Sequence, residues 1–121
     1  MKNLAPHIFR KRVFIEGFYT IEISKKFIEE LLYQLSKTLE MNPLTEPILF
    51  SPDESNYPYH GIGGYMAWVE SGVSIYTWKE YNFFTIDIYS CKDFKINSLI
   101  DFVRNKLKCT KLVYEEYKYS V

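Results

Sequence analysis

The segment running from Gly61 to Cys91 concentrates the residues that could do chemistry. Glu70-Ser71 stands between two hydrophobic runs, Trp78 and Glu80 follow, and Cys91 lies twenty residues after the serine. A serine hydroxyl can attack the carbonyl of the residue before it and turn the peptide link into an ester. That reaction needs a strained peptide, a donor for the developing oxyanion, and a base that removes the serine α-proton. Taken singly, each of these residues has a plainer reading. Glu70-Ser71 is a turn, Cys91 a small buried hydrophobe, Glu80 a solvated charge and Trp78 a core residue.

The elements that would position these residues can be read from periodicity. Residues 62–70, 73–78 and 83–89 are three strand-like runs, with breaks expected at Ser71-Gly72 and at 80–82. Residues 12–20 are rich in β-branched and aromatic side chains and form a first strand. Ser24 caps a helix in which Phe27, Ile28, Leu31, Leu32, Leu35 and Leu39 recur at helical spacing. That helix ends near Met41, before Asn42-Pro43. Ile48–Phe50 is a short strand, and 51–59 is a polar, proline-punctuated loop. Asp93 or Asn97 caps a second helix that buries Leu99, Ile100, Phe102, Val103 and Leu107; residues 111–119 form the last strand. The order β-α-β-β-β-β-α-β predicts a single α+β domain over residues 1–121, a two-layer sandwich of antiparallel sheet with both helices on one face.

Composition narrows the function. Lys+Arg and Asp+Glu are equal at 15 each, which argues against a nucleic acid polymer or an anionic membrane as partner. No apolar run approaches the roughly 20 residues needed to span a bilayer, and the N-terminus lacks the apolar core of a signal peptide. Cys91 and Cys109 suggest neither a disulfide framework nor metal-ligand spacing, so no metal is expected. The expected compartment is the cytoplasm.

Aligned without gaps, residues 61–91 resemble the small prokaryotic S-adenosylmethionine decarboxylases. The resemblance implies that Ser71 takes the position of the serine that becomes a pyruvoyl group, after self-cleavage at Glu70-Ser71. Cys91 takes the place of the proton-donating cysteine. Glu80 matches the carboxylate that holds the ribose hydroxyls, and Tyr57 matches a ring stacked on adenine. Phe14-Ile15-Glu16-Gly17 is similar to the segment that walls the substrate, and Trp78 and Asp87 fall within the same pattern. Two positions depart from it. Gly63 stands where the family has a serine that assists processing, and Tyr76 replaces its proton-abstracting histidine. A tyrosine hydroxyl, with an ordinary pKa of about 10, is a poor base near neutrality, and neither His7 nor His60 matches that position. The family also implies a homo-oligomer, a dimer, with sites at the subunit interface.

Those departures turn the sequence reading toward a pyruvoyl-independent lyase with no cofactor. Carboxylates such as Glu80 can grip a ribose diol, and the faces of tyrosine and tryptophan suit adenine and a sulfonium. The substrate's own carboxylate would attack its γ-carbon, breaking the Cγ–S bond to give homoserine lactone and methylthioadenosine. Near-attack positioning alone can contribute about 7–11 kcal/mol. The chain more loosely resembles the small S-adenosylmethionine lyases, a resemblance that implies a trimer and makes Tyr59, Tyr65 and Glu70 the catalytic candidates beside Ser71 and Cys91. Glu70 would anchor the substrate ammonium or a water, and the tyrosines would shape the sulfonium pocket. One defence-associated group of these lyases acts on S-adenosylmethionine joined to AMP (SAM-AMP), implying degradation of a nucleotide second messenger in antiviral defence. An added nucleotide would need a basic pocket near Arg12, Lys25 or Lys26. Glu16, Tyr57, Tyr76, Trp78 and Glu80 are the substrate-binding candidates. The pyruvoyl decarboxylase, acting on S-adenosylmethionine or an amino acid, is the alternative reading, and a non-catalytic nucleoside-binding paralogue the third.

Overall fold

A computed structural model describes residues 1–52, 58 and 60–121. Among these, six strands form one antiparallel sheet: β1 Lys11–Phe18, β2 Ile48–Phe50, β3 Gly63–Trp68, β4 Ser71–Trp78, β5 Phe83–Ser90 and β6 Lys111–Glu116, in spatial order β2-β3-β4-β5-β1-β6. The helices α1 Lys25–Thr38 and α2 Ile96–Leu107 cover one face, giving the expected α+β two-layer sandwich. Strand alternation sends Val13, Ile15, Met66, Trp68, Val73, Ile75, Phe84, Ile86 and Ile88 toward the helices. There they meet Ile28, Leu32, Leu35, Leu99 and Leu107 in a continuous buried core. The opposite face carries Arg12, Phe14, Glu16, Tyr65, Tyr76, Asp87 and Tyr89, and among the described residues no layer covers it.

Several boundaries differ from the sequence expectation, each for an identifiable reason. Ser24 does cap α1, its Oγ accepting from the Phe27 N–H at 3.0 Å. Neither Asp93 nor Asn97 caps α2, which starts after an extended Lys95 with no side-chain cap. Asp93 Oδ1 accepts instead from the Phe94 N–H and from Lys11 Nζ, both at 2.8 Å, tying the helix entry to β1. The first hairpin turns at Val69-Glu70, so Ser71 already belongs to β4. The second turns through a 3-10 segment, Lys79–Tyr81, closed by Asn82 with a φ of 49°. β6 ends at Glu116; the Tyr117 N–H still donates to the Arg12 carbonyl at 2.9 Å, and farther on Ser120 pairs with Lys2.

A polar chain runs into the core. Trp68 Nε1 donates to Ser36 Oγ at 2.7 Å, and Ser36 Oγ donates to the Leu32 carbonyl, also at 2.7 Å. Trp68→Phe removes the indole donor and leaves a gap in a fully packed interior, so a loss of about 1–3 kcal/mol is expected in urea denaturation. A midpoint equal to that of the unmodified chain would mean that the indole contributes no net packing.

Candidate functional site

Ser71 stands at the strained end of the first hairpin. Trp68 pairs with Ser71 across β3 and β4, leaving only Val69 and Glu70 to make the turn. Neither is glycine, and the distortion appears at Ser71, whose φ of 145° is one that residues with side chains rarely adopt. Holding such a conformation costs of order 1–3 kcal/mol. The carbonyl of Glu70, the one a Ser71 hydroxyl would attack, accepts the Cys91 N–H at 2.8 Å.

The turn is clamped from outside the sheet. Asn42 donates its backbone N–H to Glu70 Oε1 at 2.9 Å and its Nδ2 to Oε2 at 2.7 Å. Its carbonyl accepts the Val69 N–H at 2.8 Å. The Asn42 N–H, helped by its side chain and by the Lys92 charge, holds the Glu70 carboxyl below the ordinary range. Both carboxylate oxygens are therefore engaged with protein donors.

At this end the open face holds a cavity of about 450 Å³, lined among others by Ser71, Tyr65, Ser74, Asp87, Arg12 and Tyr89. Tyr65 leans over Gly72, its Oη 3.0 Å from where a Cβ on that glycine would stand, so the phenol occupies the space beside Ser71 that a side chain would take. Burial first, and the nearby Glu16 charge second, push the Asp87 carboxyl above the ordinary aspartate range. Of the three basic residues considered for an added nucleotide, only Arg12 lines this cavity.

The remaining sequence candidates lie elsewhere on the same face. Tyr76 sits five residues beyond Ser71 on β4, roughly 17 Å along the strand. Its ring lies 5.7 Å from that of Phe50, and Gly63 is its partner in register. A Cβ on Gly63 would run into the Phe50 ring, so the two departures from the family pattern, at 63 and 76, share one aromatic neighbour. Phe50, Gly63, Tyr76, Trp78 and His60 line a second cavity of about 320 Å³. Glu80 is exposed just beyond it, its Oε1 3.9 Å from His60 Nε2. Trp78 packs on Phe83 at 5.4 Å, half-buried instead of in the core, and Cys91 is exposed instead of buried. Thus Glu70, Ser71, Tyr65 and Cys91 gather at one end of β4, with Glu16 close enough to act on Asp87. Tyr76, Trp78 and Glu80 gather at the other. Tyr57 and Tyr59 lie outside the described residues. Sequence reading missed the clamp, because Asn42-Pro43 reads only as a helix stop; its pairing with Glu70 is a long-range contact with no spacing signal.

An antiparallel α+β sandwich with a serine at a strained hairpin defines a class, and comparison with known proteins places the chain within it. The model of the S-adenosylmethionine decarboxylase family matches residues 20–119, and the chain belongs to that family. An S-adenosylmethionine decarboxylase proenzyme of Pyrobaculum islandicum is 38% identical over 56 residues, covering 46% of this chain and 45% of that protein. The chain thus matches less than half the length of that relative. A Thermoplasma volcanium protein of the same name is 30% identical over 100 residues, covering 81% of this chain and 75% of its own length. Among solved structures, the adenosylmethionine decarboxylase of Aquifex aeolicus VF5 shares the fold, with a TM-score of 0.73, 20% identity, and coverage of 94% and 92% of the two chains.

These relatives correct the favoured sequence reading. Their names specify a carboxy-lyase, a different reaction from Cγ–S cleavage. In the structure Glu70, expected to anchor a substrate ammonium or a water, accepts from Asn42 through both carboxylate oxygens.

Among the described residues, no helix is long and apolar enough to cross a membrane.

Proposed function

We propose that this chain is a proenzyme that cleaves itself at Glu70-Ser71 and then decarboxylates S-adenosylmethionine. The observation that carries this reading is the junction itself: Ser71 held at a φ of 145° with the Glu70 carbonyl already bonded to the Cys91 N–H. The strain raises the ground state of the peptide, and the amide is aimed at the oxygen on which negative charge develops. Ser71 Oγ attacks the Glu70 carbonyl carbon, the C–N bond breaks, and the hydroxyl proton passes to the Ser71 nitrogen, leaving a free amine with the two halves joined by an ester through Oγ. Removal of the Ser71 α-proton expels the Glu70 carboxylate. The resulting dehydroalanine end tautomerises, takes up one water and releases ammonia, leaving a pyruvoyl group at position 71.

The surroundings fit that group, since Ser71 borders a 450 Å³ cavity and the Cys91 amide flanks its bond to Glu70. A pyruvoyl at position 71 would supply an electrophilic carbonyl that can join the substrate's amino group and act as the electron sink for loss of carbon dioxide. In this reading Asp87 and Glu16 face the substrate's positive sulfonium, and the Cys91 thiol returns a proton to the α-carbon. Tyr65 walls the cavity.

The reading also calls for a second copy. Tyr76, Trp78 and Glu80 are too far along β4 to serve the Ser71 of their own chain. They reach a Ser71 only if two open faces stack in opposite directions. Phe14, at 42% exposure, and Tyr76, at 45%, lie on that face. A homodimer with two composite sites follows, and light scattering of the purified chain tests it. A 14.5 kDa species would exclude it.

The Phe50–Gly63–Tyr76 arrangement favours a second reading, a nucleoside-binding paralogue that cleaves slowly or not at all. The test common to both is intact mass followed by carbon dioxide release from S-adenosylmethionine.

Asn42 acts here as a positioning residue. Asn42→Ala removes one of the two donors to Glu70 and is expected to slow cleavage about fivefold, and Asn42→Asp to slow it further through like charge. The Glu70 pKa is depressed in the fold. The clamp's contribution is therefore complete above the ordinary carboxylate pKa and is lost as pH falls through the lowered one. The two cleavage rates should converge over that acid interval. Equal rates for Asn42→Ala and the unmodified chain at neutral pH would remove Asn42 from the process.

A further inference from the structure

Arg12 is the most unusual charge on the open face. Its guanidinium lies over the Tyr89 ring, 4.2 Å from the centroid, and its Nε donates to Tyr119 Oη at 3.0 Å. Tyr119 is itself fixed, edge-on to Tyr117 at 4.9 Å and with the Arg10 guanidinium 4.5 Å from its centroid. Among the described residues, no carboxylate comes within 4.0 Å of Arg12. A guanidinium held on two sides, lacking a counter-ion and lining a cavity, is preorganised to receive an anion.

Register locates that anion relative to Ser71. Arg12 is opposite Tyr89, Tyr89 is opposite Gly72, and Gly72 adjoins Ser71. Two strand spacings separate the Arg12 and Gly72 backbones, roughly 10 Å, a gap that an arginine side chain and a small carboxylate fill together. Asp87 lines the same cavity from the next open-face position on β5.

Resting on the decarboxylase reading, we infer that Arg12 is the specificity residue for the substrate's α-carboxylate. The cavity then takes a zwitterionic ligand, with carboxylate on Arg12 and sulfonium toward Asp87. The contact has a directional consequence. The carboxylate's charge disappears as carbon dioxide forms, so Arg12 binds substrate at least as well as transition state and hardly binds the product. It contributes to KM and to product release more than to kcat.

The test is calorimetric and uses full-length Ser71→Ala chain, which cannot cleave. Its ligands are S-adenosylmethionine and the same molecule lacking the carboxylate. Adding Arg12→Ala should weaken S-adenosylmethionine binding about 10- to 100-fold and change binding of the decarboxylated compound less than about twofold, with Arg12→Lys recovering part of the loss. An equal loss for both ligands, or none for either, would overturn the assignment. If no Ser71→Ala variant binds either compound, the inference falls, whereas the decarboxylase reading falls only if the unmodified chain stays unbroken and releases no carbon dioxide.

Discussion

Purified chain is expected to give two masses in place of one: a fragment of residues 1–70 and a pyruvoyl-blocked fragment beginning at position 71. Ser71→Ala should give a single unbroken mass and no carbon dioxide from S-adenosylmethionine. The effect is all-or-none because one oxygen atom is both the nucleophile of cleavage and the leaving atom of elimination. Ser71→Cys is the informative intermediate. A thiol attacks the same carbonyl, and the thioester still eliminates, so cleavage should persist at an altered rate. Unbroken mass for the unmodified chain, under conditions where it binds S-adenosylmethionine, would establish the binding paralogue.

Much of the fold follows from local pattern. Helix α1 could be located from Ser24 and the recurrence of its leucines, because capping and a one-sided apolar stripe act over a few residues. The three central strands could be read from alternation for the same reason. The turn between β3 and β4 was displaced, since Gly72 attracts a turn assignment by its type. The tight pairing of Trp68 with Ser71 instead puts the unusual backbone on a serine. The α2 cap failed because Asp93 has a stronger partner, Lys11, 82 residues away in sequence.

The site was legible only where it is contiguous. Ser71 and Cys91 could be paired through the family resemblance of a contiguous segment, and in the fold the Cys91 amide donates to the Glu70 carbonyl. The lyase expectation failed on a different point. It inferred a reaction from two absent side chains, and neither absence says what the remaining groups face. Glu70 faces Asn42, and Tyr76 faces Phe50. Long-range contacts of this kind leave no periodic trace in a single sequence.

Tyr76→His is expected to accelerate cleavage about 10²- to 10⁴-fold, the usual contribution of a positioned general base. A histidine has an ordinary pKa near neutrality, whereas a phenol is almost wholly protonated there. Gly63→Ser, which would restore the family's other processing residue, requires the Phe50 ring to move, so Gly63→Ser with Phe50→Ala is the suitable companion. The decisive form of the experiment separates base from scissile bond. Residue 76 lies roughly 17 Å from Ser71 within one chain, so the histidine should act on the other copy. A chain carrying both Ser71→Ala and Tyr76→His cannot cleave itself. Co-expressed with a tagged unmodified chain, it should accelerate cleavage of the tagged chain and remain whole. Acceleration confined to chains that carry the histidine themselves would mean that the hairpin and residue 76 meet within one copy, and the stacked-face dimer would have to be abandoned.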